Sequence, residues 1–306
     1  MDLRIAFMGT PDFAVPSLTK LAEHFTVAGV ITQPDRPSGR GRKLISPAVK
    51  RIAEELGLET FQPDDINLPS SLNVILDWSV DLICVAAFGQ LLKTPLLEMP
   101  ISGCLNVHAS LLPRWRGASP INASILAGDT HSGVTIMKMG PGLDDGPILA
   151  QESVAIGPEE TAGILSDRLA ELGGDLLIKT IPAYLLNKID PQPQDPDLAT
   201  YARLLKKKSG ELDFSQSAAD LTRKVRAYSP WPGTFTTWED KRLLIHESSS
   251  IPVSSPGAGV FINHEGKPAI GTGKGILILE TLQLAGKKSV SGEEFLNGTP
   301  SWGNPE

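Results

Sequence analysis

The sequence predicts an α/β protein with an open, doubly wound and mostly parallel sheet, followed by a small β-barrel. Strand-like and helix-like segments alternate over residues 1–189, which is typical of helices that cover a parallel sheet. A proline-rich stretch follows, and after it come short alternating runs broken by turn residues. The length of 306 residues also exceeds the usual domain size of about 100–200 residues, so we expect two domains.

The elements of the first domain, residues 1–189, follow from apolar runs and helix-start signals. The predicted strands are Arg4–Met8, Val27–Ile31, Asp81–Ala86, Gly103–His108, Gly133–Lys138 and Ile148–Ile156. The predicted helices are Val15–Glu23, Pro47–Leu56, Ser70–Trp78 and a long closing helix, Thr161–Asn187. This order predicts a Rossmann-like domain.

The second domain is predicted at residues 206–306, after a linker at residues 190–205. Three prolines between Asp190 and Asp197 favour an extended, semi-rigid linker. Beyond it, Ser217–Ala227 is predicted to be a helix and the remainder short strands. Five-stranded barrels of the oligonucleotide-binding (OB) class have this pattern, although spacing alone does not identify the barrel type.

Composition and charge are those of an ordinary globular protein, with 41% hydrophobic and 21% charged residues. The apolar start of the chain is too short for a membrane helix and lacks a cleavable leader. The two cysteines, Cys84 and Cys104, lie in apolar strands, so we expect no disulfide framework and a reducing compartment. We therefore predict a cytoplasmic protein with no membrane contact, and a monomer.

The strand at Gly103–His108 becomes polar at its carboxyl end. Asn106 and His108 are two positions apart, so their side chains share the face that projects into the ligand-binding crevice of an open α/β sheet. An amide beside an imidazole can hold a carbonyl oxygen and move a proton. We therefore predict a catalytic site here. The alternative is that His108 only caps the strand and bonds a loop.

Asp144 lies in the turn Gly140-Pro-Gly-Leu-Asp-Asp-Gly146. Taken alone, it is a turn former whose carboxylate bonds nearby backbone amides. Beside His108, the same carboxylate would orient the ring and stabilise its imidazolium form.

The sequence lacks the motifs of several other kinds of catalysis. Neither nucleotide-binding glycine fingerprint is present, and the five histidines lack metal-ligand spacing with Cys or acidic residues, so we expect no metal. No nucleophile elbow or reactive-cysteine motif occurs. Direct group transfer without a covalent enzyme intermediate is the simplest scheme.

A long basic loop follows the second strand. Between positions 33 and 51 a single acidic residue, Asp35, accompanies six basic residues: Arg36, Arg40, Arg42, Lys43, Lys50 and Arg51. A flexible loop with this density of basic residues predicts a polyanionic partner, because each contact with a phosphate releases counterions. The alternative is a solvated loop. The net charge of −7 argues only against binding nucleic acid over the whole surface.

Longer motifs then carry a family resemblance. Residues 106–117 read Asn-Val-His-Ala-Ser-Leu-Leu-Pro-Arg-Trp-Arg-Gly and are followed by Gly142-Leu143-Asp144. This pair resembles enzymes that use 10-formyltetrahydrofolate. The loop Gln33–Gly41, Trp231-Pro232 and Ala285–Lys288 resemble the tRNA-acting branch, the methionyl-tRNA formyltransferase family. Ala109 stands where many relatives carry Gly, a small change that puts little in doubt.

The resemblance implies transfer of a formyl group to the α-amino group of methionyl initiator tRNA, giving N-formylmethionyl-tRNA for translation initiation. It implies that Asn106 and His108 stabilise an oxyanion and that Asp144 supports His108 and proton transfer. The implied folate-binding residues are Phe88, Gln90, Leu91, Leu92, Ser110, Leu111, Leu112 and Pro113. The implied tRNA-binding residues are Arg36, Arg40, Arg42, Lys43, Lys206, Lys207 and Lys208, with Arg40 entering the acceptor stem.

Three alternatives stay open. A sugar-nucleotide formyltransferase would keep Asn106, His108 and Asp144 but would have no use for a loop this basic. A purine-pathway formyltransferase would be a single domain. An oligonucleotide-binding protein with a structural α/β half would leave the clustering of the three residues unexplained.

Overall fold

The computed structural model describes residues 3–38 and 43–303, which divide into two compact units. The first unit comprises the described residues up to Pro120, together with His131–Ala155 and Ser166–Ala202. The second comprises Ile121–Thr130, Ile156–Leu165 and the described residues from Arg203 onward.

The described residues form seventeen strands and eight helices. The strands are β1 Arg4–Gly9, β2 Thr26–Ile31, β3 Arg36–Ser38, β4 Lys43–Ile45, β5 Thr60–Phe61, β6 Leu82–Ala86, β7 Cys104–His108, β8 Arg116–Gly117, β9 His131–Lys138, β10 Ile148–Ala155, β11 Tyr201–Ala202, β12 Thr234–Trp238, β13 Lys241–Ile251, β14 Phe261–His264, β15 Lys267–Gly271, β16 Ile276–Leu284 and β17 Val290–Ser291. The helices are α1 Val15–His24, α2 Ala48–Glu55, α3 Pro69–Asp77, α4 Thr94–Leu97, α5 Pro120–Ala127, α6 Ala162–Leu185, α7 Ala218–Ala227 and α8 Gly292–Asn297.

The main sheet of the first unit has the strand order β10-β9-β7-β6-β1-β2-β5. The pairs among β7, β6, β1, β2 and β5 are parallel, whereas β9 runs antiparallel to both β7 and β10. Because β1 lies between β2 and β6, the strand order reverses there, which opens a crevice at the carboxyl ends of the strands. The predicted open, mostly parallel sheet is confirmed.

The core of the first unit explains why the apolar runs form strands and helices. All five residues of β6 and all five of β7 are buried. Trp78, at the end of α3, packs against β2 at Gly29, where an added Cβ would come within 2.5 Å of the indole ring. The absence of a side chain at Gly29 therefore lets the large ring lie against the sheet.

Two segments differ from the sequence-based expectation. The loop expected to be long and flexible contains a hairpin, in which Arg36–Ser38 pairs antiparallel with Lys43–Ile45. Each strand is too short to show an alternating pattern, which is why the hairpin is not visible in the sequence. Much of the expected linker at 190–205 joins the first unit: Gln192 pairs with Ile148, and β11 pairs with β8.

The second unit contains an antiparallel sheet with the order β12-β13-β16-β15-β14, and β17 pairs with β16. The rings of Trp238, Phe295 and Trp302 lie 5.3–5.6 Å apart at the centre of its core. Helix α7 matches the expected Ser217–Ala227, with the Ser217 hydroxyl accepting from Asp220 N as a cap. No helix within the described ranges is long and apolar enough to cross a membrane.

Candidate active site

Strand β7 carries two buried polar side chains where apolar ones would normally lie. Asn106 is 8% exposed and His108 is 6% exposed. Asn106 stands between Val85 of β6 and Met137 of β9, and His108 stands opposite Thr135 of β9. Because they are two residues apart in one strand, both side chains point from the same face of the sheet.

The two ring nitrogens of His108 face different partners. Nε2 lies 3.0 Å from the Trp115 carbonyl oxygen, and Nδ1 lies 3.7 Å from Asp144 Oδ2. A carbonyl oxygen has no hydrogen to donate, so Nε2 must be the donor and carries a proton. Nδ1 is therefore the nitrogen that can gain or lose a proton, and a carboxylate stands beside it.

Asp144 reaches His108 from the loop that joins β9 and β10. Its backbone adopts a φ of +49°, in the left-handed region, which is uncommon for a residue other than glycine. Its Oδ2 atom accepts a 2.7 Å hydrogen bond from Gly117 N. The structure thus brings together His108 and an Asp that is 36 residues later in the sequence.

The segment after β7 is held by hydrogen bonds that fix the Trp115 carbonyl. Ser110 Oγ donates to Arg114 O at 2.6 Å, and Thr135 Oγ1 donates to Ser110 O at 2.6 Å. Thr200 Oγ1 accepts from Trp115 N at 2.9 Å. The orientation of the His108 ring therefore depends on a loop anchored at both the sheet and the residue-200 segment.

The residues implied in folate binding occupy unequal environments. Phe88, Leu92 and Leu112 are buried, whereas Leu91 is 74% exposed. The Gln90 amide accepts from Ile66 N at 2.8 Å, and the Ser110 hydroxyl bonds Arg114 O. Gln90, Leu111 and Pro113 are half-buried, so Leu91 is the member of this set with the most accessible side chain.

The residues implied in tRNA binding lie in both units. In the first, Arg36 is exposed in β3 and Lys43 begins β4, whereas Arg40 and Arg42 lie outside the described residues. In the second, Lys206, Lys207 and Lys208 are exposed at a short 3₁₀ turn.

One charge of the basic segment is paired within the protein. Lys50 Nζ lies 3.0 Å from both carboxylate oxygens of Asp35. Gln62 Nε2 donates to the same carboxylate at 2.8 Å. The hydrogen bonds from Gln62 and Lys50 hold the pKa of Asp35 below its ordinary value. Lys50 therefore neutralises Asp35 and adds nothing to the free charge of the loop.

Sequence reasoning missed three residues that support the site: Arg116, Gly117 and Gln194. Arg116 and Gly117 lie inside the long motif, so their position was a signal, although no role was assigned to them. Gln194 lies in the proline-rich segment, where the sequence carries no indication that it contacts the Asp144 loop.

Comparisons with known proteins identify the family to which the fold belongs. The family model described as "Formyl transferase" matches residues 3–181, and "Formyl transferase, C-terminal domain" matches residues 204–300. An N-formyltransferase from Helicobacter canadensis, solved with folinic acid and dTDP-3-aminofucose, superposes with a TM-score of 0.65 at 19% identity, covering 91% of this chain and 98% of that chain. The fold and the matched domains define a formyl transferase.

Curated relatives identify the branch of the formyl transferases to which this chain belongs. A methionyl-tRNA formyltransferase from Geobacter metallireducens is 44% identical over 298 residues, 97% of this chain and 96% of the relative. That of Myxococcus xanthus is 42% identical over 295 residues, 96% of this chain and 95% of the relative. This chain belongs to the methionyl-tRNA formyltransferase family, which confirms the resemblance carried by the motifs.

Proposed function

We propose that this protein transfers the formyl group of 10-formyltetrahydrofolate to the α-amino group of methionyl initiator tRNA. Asn106, His108 and Asp144 form the catalytic centre. The observation that carries the proposal is the His108 ring, which has one nitrogen bonded to Trp115 O and the other beside Asp144. Relatives at 44% and 42% identity named methionyl-tRNA formyltransferase support the acceptor.

The reaction exchanges one carbon–nitrogen bond for another. The neutral α-amine of the methionyl ester attacks the formyl carbon and forms a tetrahedral intermediate whose former carbonyl oxygen is negative. Collapse of the intermediate breaks the bond from that carbon to N10 of the folate. The amine loses one proton and N10 gains one, so no oxidant or metal is needed to balance the step.

Asn106 and His108 stabilise the oxyanion. The Asn106 amide has two N–H donors, and it shares its strand face with His108. Both side chains are buried, and a hydrogen bond to a developing charge is stronger where water is excluded. In comparable sites the loss of one such donor costs about 3–4 kcal/mol of transition-state stabilisation.

His108 and Asp144 together handle the proton. With Nε2 committed to Trp115 O, the proton from the amine passes to Nδ1, which then serves as a second donor to the oxyanion before it protonates N10. Asp144 Oδ2, 3.7 Å away, stabilises the imidazolium that forms, as a carboxylate does in hydrolytic triads.

The same proposal assigns the residues that contact the folate and the tRNA. We assign the folate to Leu91, Leu111, Pro113 and the backbone near Phe88 and Leu112, with Gln90 and Ser110 shaping these segments through their hydrogen bonds. We assign the tRNA to Arg36, Arg40, Arg42 and Lys43 and to Lys206–Lys208. HypX from Aquifex aeolicus, which shares the fold at a TM-score of 0.63, was solved with tetrahydrofolic acid, which supports a folate site.

Location and assembly form part of the same proposal. We place the protein in the cytoplasm as a monomer. The buried free thiols of Cys84 and Cys104 are compatible with a reducing compartment. Light scattering of the purified protein tests the monomer.

A direct assay tests the function. The protein is incubated with 10-formyltetrahydrofolate and methionyl initiator tRNA, and formylmethionine is sought after ester hydrolysis. A parallel reaction replaces the tRNA with an amino-sugar nucleotide. Product from tRNA alone is the expected result. Product from the sugar nucleotide alone would move the chain to the sugar-acting branch.

A further inference from the structure

The side chain of Gln194 is fully occupied by hydrogen bonds to two loops of the first unit. Its Nε2 atom donates to Asp144 O at 2.9 Å and to Gly146 O at 2.7 Å. Its Oε1 atom accepts from Arg116 Nε at 3.0 Å and from Arg116 Nη2 at 2.8 Å. One amide thus joins the loop that carries Asp144 to the segment that follows β7.

The orientation of the Gln194 amide is determined by its neighbours. A guanidinium can only donate, so the atom facing Arg116 must be the oxygen. A backbone carbonyl can only accept, so the atom facing Asp144 and Gly146 must be the nitrogen with its two hydrogens. Arg116 is buried, where loss of its acceptor would leave charged donors unsatisfied.

The two loops that Gln194 joins carry the two partners of the His108 ring. Trp115, whose carbonyl accepts from Nε2, is the neighbour of Arg116 in the chain. Asp144, whose carboxylate faces Nδ1, has its own backbone carbonyl bonded by Gln194. Asp144 Oδ2 also accepts from Gly117 N, which closes a ring of contacts through Gly117, Arg116, Gln194 and Asp144.

The Asp144 loop needs such a restraint. A φ of +49° at Asp144 is an unfavourable backbone conformation that persists only where surrounding contacts impose it. Gly146 is packed so closely that an added Cβ would lie 1.8 Å from Lys138 O. Gln194 itself is fixed by its chain, since Gln192 and Ile148 exchange two backbone hydrogen bonds of 2.8 Å.

We propose that Gln194 is a positioning residue for catalysis, one that holds the Asp144 carboxylate at Nδ1 of His108. The proposal rests on the proposed catalytic role of Asp144. Gln194 contacts no reacting atom, and its effect on catalysis passes through Asp144. A displacement of about 1 Å at a catalytic group costs up to about 100-fold in rate.

The first test uses two variants of nearly unchanged size, Gln194→Glu and Gln194→Met. Glu keeps an acceptor for Arg116 and Met keeps none, but neither donates to Asp144 O and Gly146 O. Both should lower kcat by about 10- to 100-fold, with KM for each substrate within about twofold of the parent. Gln192→Ala is the matched control, because the Gln192 side chain bonds only Asp190 in the described ranges, and it should keep full kcat.

The second test asks whether Gln194 acts through Asp144. Single-turnover rates are measured for Asp144→Ala with and without Gln194→Glu, which retains an acceptor for Arg116, and thermal unfolding confirms that each variant is folded. If the proposal holds, Gln194→Glu causes no further loss once Asp144 is absent. Equal losses in both backgrounds, or a loss confined to KM, would overturn it.

The outcomes of these tests distinguish the positioning role of Gln194 from the catalytic role of Asp144. Full activity of Asp144→Ala would remove the catalytic role of Asp144, whatever Gln194 does. A large loss in Asp144→Ala together with full kcat in Gln194→Glu and Gln194→Met would remove only the positioning role. Should Gln194→Met fail to fold, Gln194→Glu still decides the question because it retains the Arg116 contact.

Discussion

His108 has two ring nitrogens with different neighbours. Nε2 lies 3.0 Å from the Trp115 carbonyl oxygen, which fixes the ring, and in the proposed mechanism Nδ1 is the nitrogen that exchanges protons. The Asp144 carboxylate lies 3.7 Å from Nδ1, which is too far for a short hydrogen bond. At the scale of single residues, the proposed mechanism therefore depends on the geometry around one imidazole.

Removing any member of the catalytic centre should abolish most turnover. We expect Asn106→Ala, His108→Ala and Asp144→Ala each to lower kcat by about 10²- to 10⁴-fold, because each removes a donor or a proton-transfer group. The Kd for tRNA should stay within about twofold, since the basic residues are untouched. Rates are measured by single turnover and Kd by filter binding.

A neighbouring acidic residue provides the control for this prediction. Asp145 is exposed in the same loop, so Asp145→Ala should keep nearly full kcat. If Asp145→Ala lost as much activity as Asp144→Ala, the assignment of the catalytic carboxylate would be wrong.

At the scale of elements, the β3–β4 hairpin presents the densest basic segment of the first unit. Arg36 is exposed in β3, and Arg40 and Arg42 fall between the two strands in the sequence. The backbones of Arg36–Ser38 and Lys43–Ile45 are paired with each other.

Arg40→Ala should weaken tRNA use and leave the chemistry intact. We expect a higher KM for methionyl-tRNA and an unchanged kcat. Binding should also depend less on salt. The slope of the logarithm of the binding constant against the logarithm of the salt concentration should fall in magnitude by about 0.7–0.9 for each phosphate that the variant no longer neutralises. Lys188→Ala, which removes an exposed charge elsewhere in the first unit, is the control. A kinetically silent Arg40→Ala would remove the hypothesis that this segment binds tRNA.

The base of the hairpin is held by Asp35, which accepts from Gln62, Lys50 and Ser46. Because these bonds lower the pKa of Asp35 from its ordinary value of 3.8, the folded state binds its proton more weakly than the unfolded chain. Asp35 therefore contributes stability above the unfolded-state pKa, and this contribution is lost as pH falls through the lowered folded-state pKa.

We expect Asp35→Asn to lower the free energy of unfolding at pH 7. The size of this decrease should shrink as the pH falls below the ordinary Asp pKa, because the parent protein then loses the contribution of the Asp35 charge. Urea unfolding at several pH values measures this difference. Asp12→Asn, at an exposed acidic residue of the same unit, is the control. A difference between the parent and Asp35→Asn that does not change with pH would contradict the role of the charge.

At the scale of the whole molecule, each of the two units has a large buried cluster of apolar residues within the described ranges. One is centred on Ile83, Trp78 and Phe88, and the other on Trp238, Phe295 and Trp302. Both cysteines lie in the sheet of the first unit and are free. Burial raises the pKa of the Cys104 thiol to about 12 and also raises that of Cys84.

The native protein should therefore resist thiol reagents at neutral pH. Neither thiol ionises readily, and neither is accessible without unfolding, so we expect labelling at least about 10³-fold slower than for a free thiol. Both thiols should react at once in concentrated urea. Ser70→Cys adds a thiol at an exposed position and should label rapidly. Rapid labelling of the unmodified native protein would contradict the described burial.

The sequence by itself determined the main elements of the fold and the shared strand face of Asn106 and His108. Apolar periodicity predicted the main strands and long helices, because each pattern is local to its own segment. The two-residue spacing of Asn106 and His108 predicted a shared face, since alternation is a property of any strand. The hairpin and the short strand β8 were not predicted, because two or three residues carry too little pattern to be distinguished from a loop.

Only the tertiary structure decided which distant residues join Asn106 and His108 at the candidate site. From the residues alone Asp144 was a turn residue, and the family resemblance assigned it to catalysis; the fold brings it beside His108. Gln194 lies 50 residues beyond Asp144 in a segment expected to be a linker. Contacts between residues so far apart depend on how the whole chain packs, and no local pattern of polar and apolar residues encodes them.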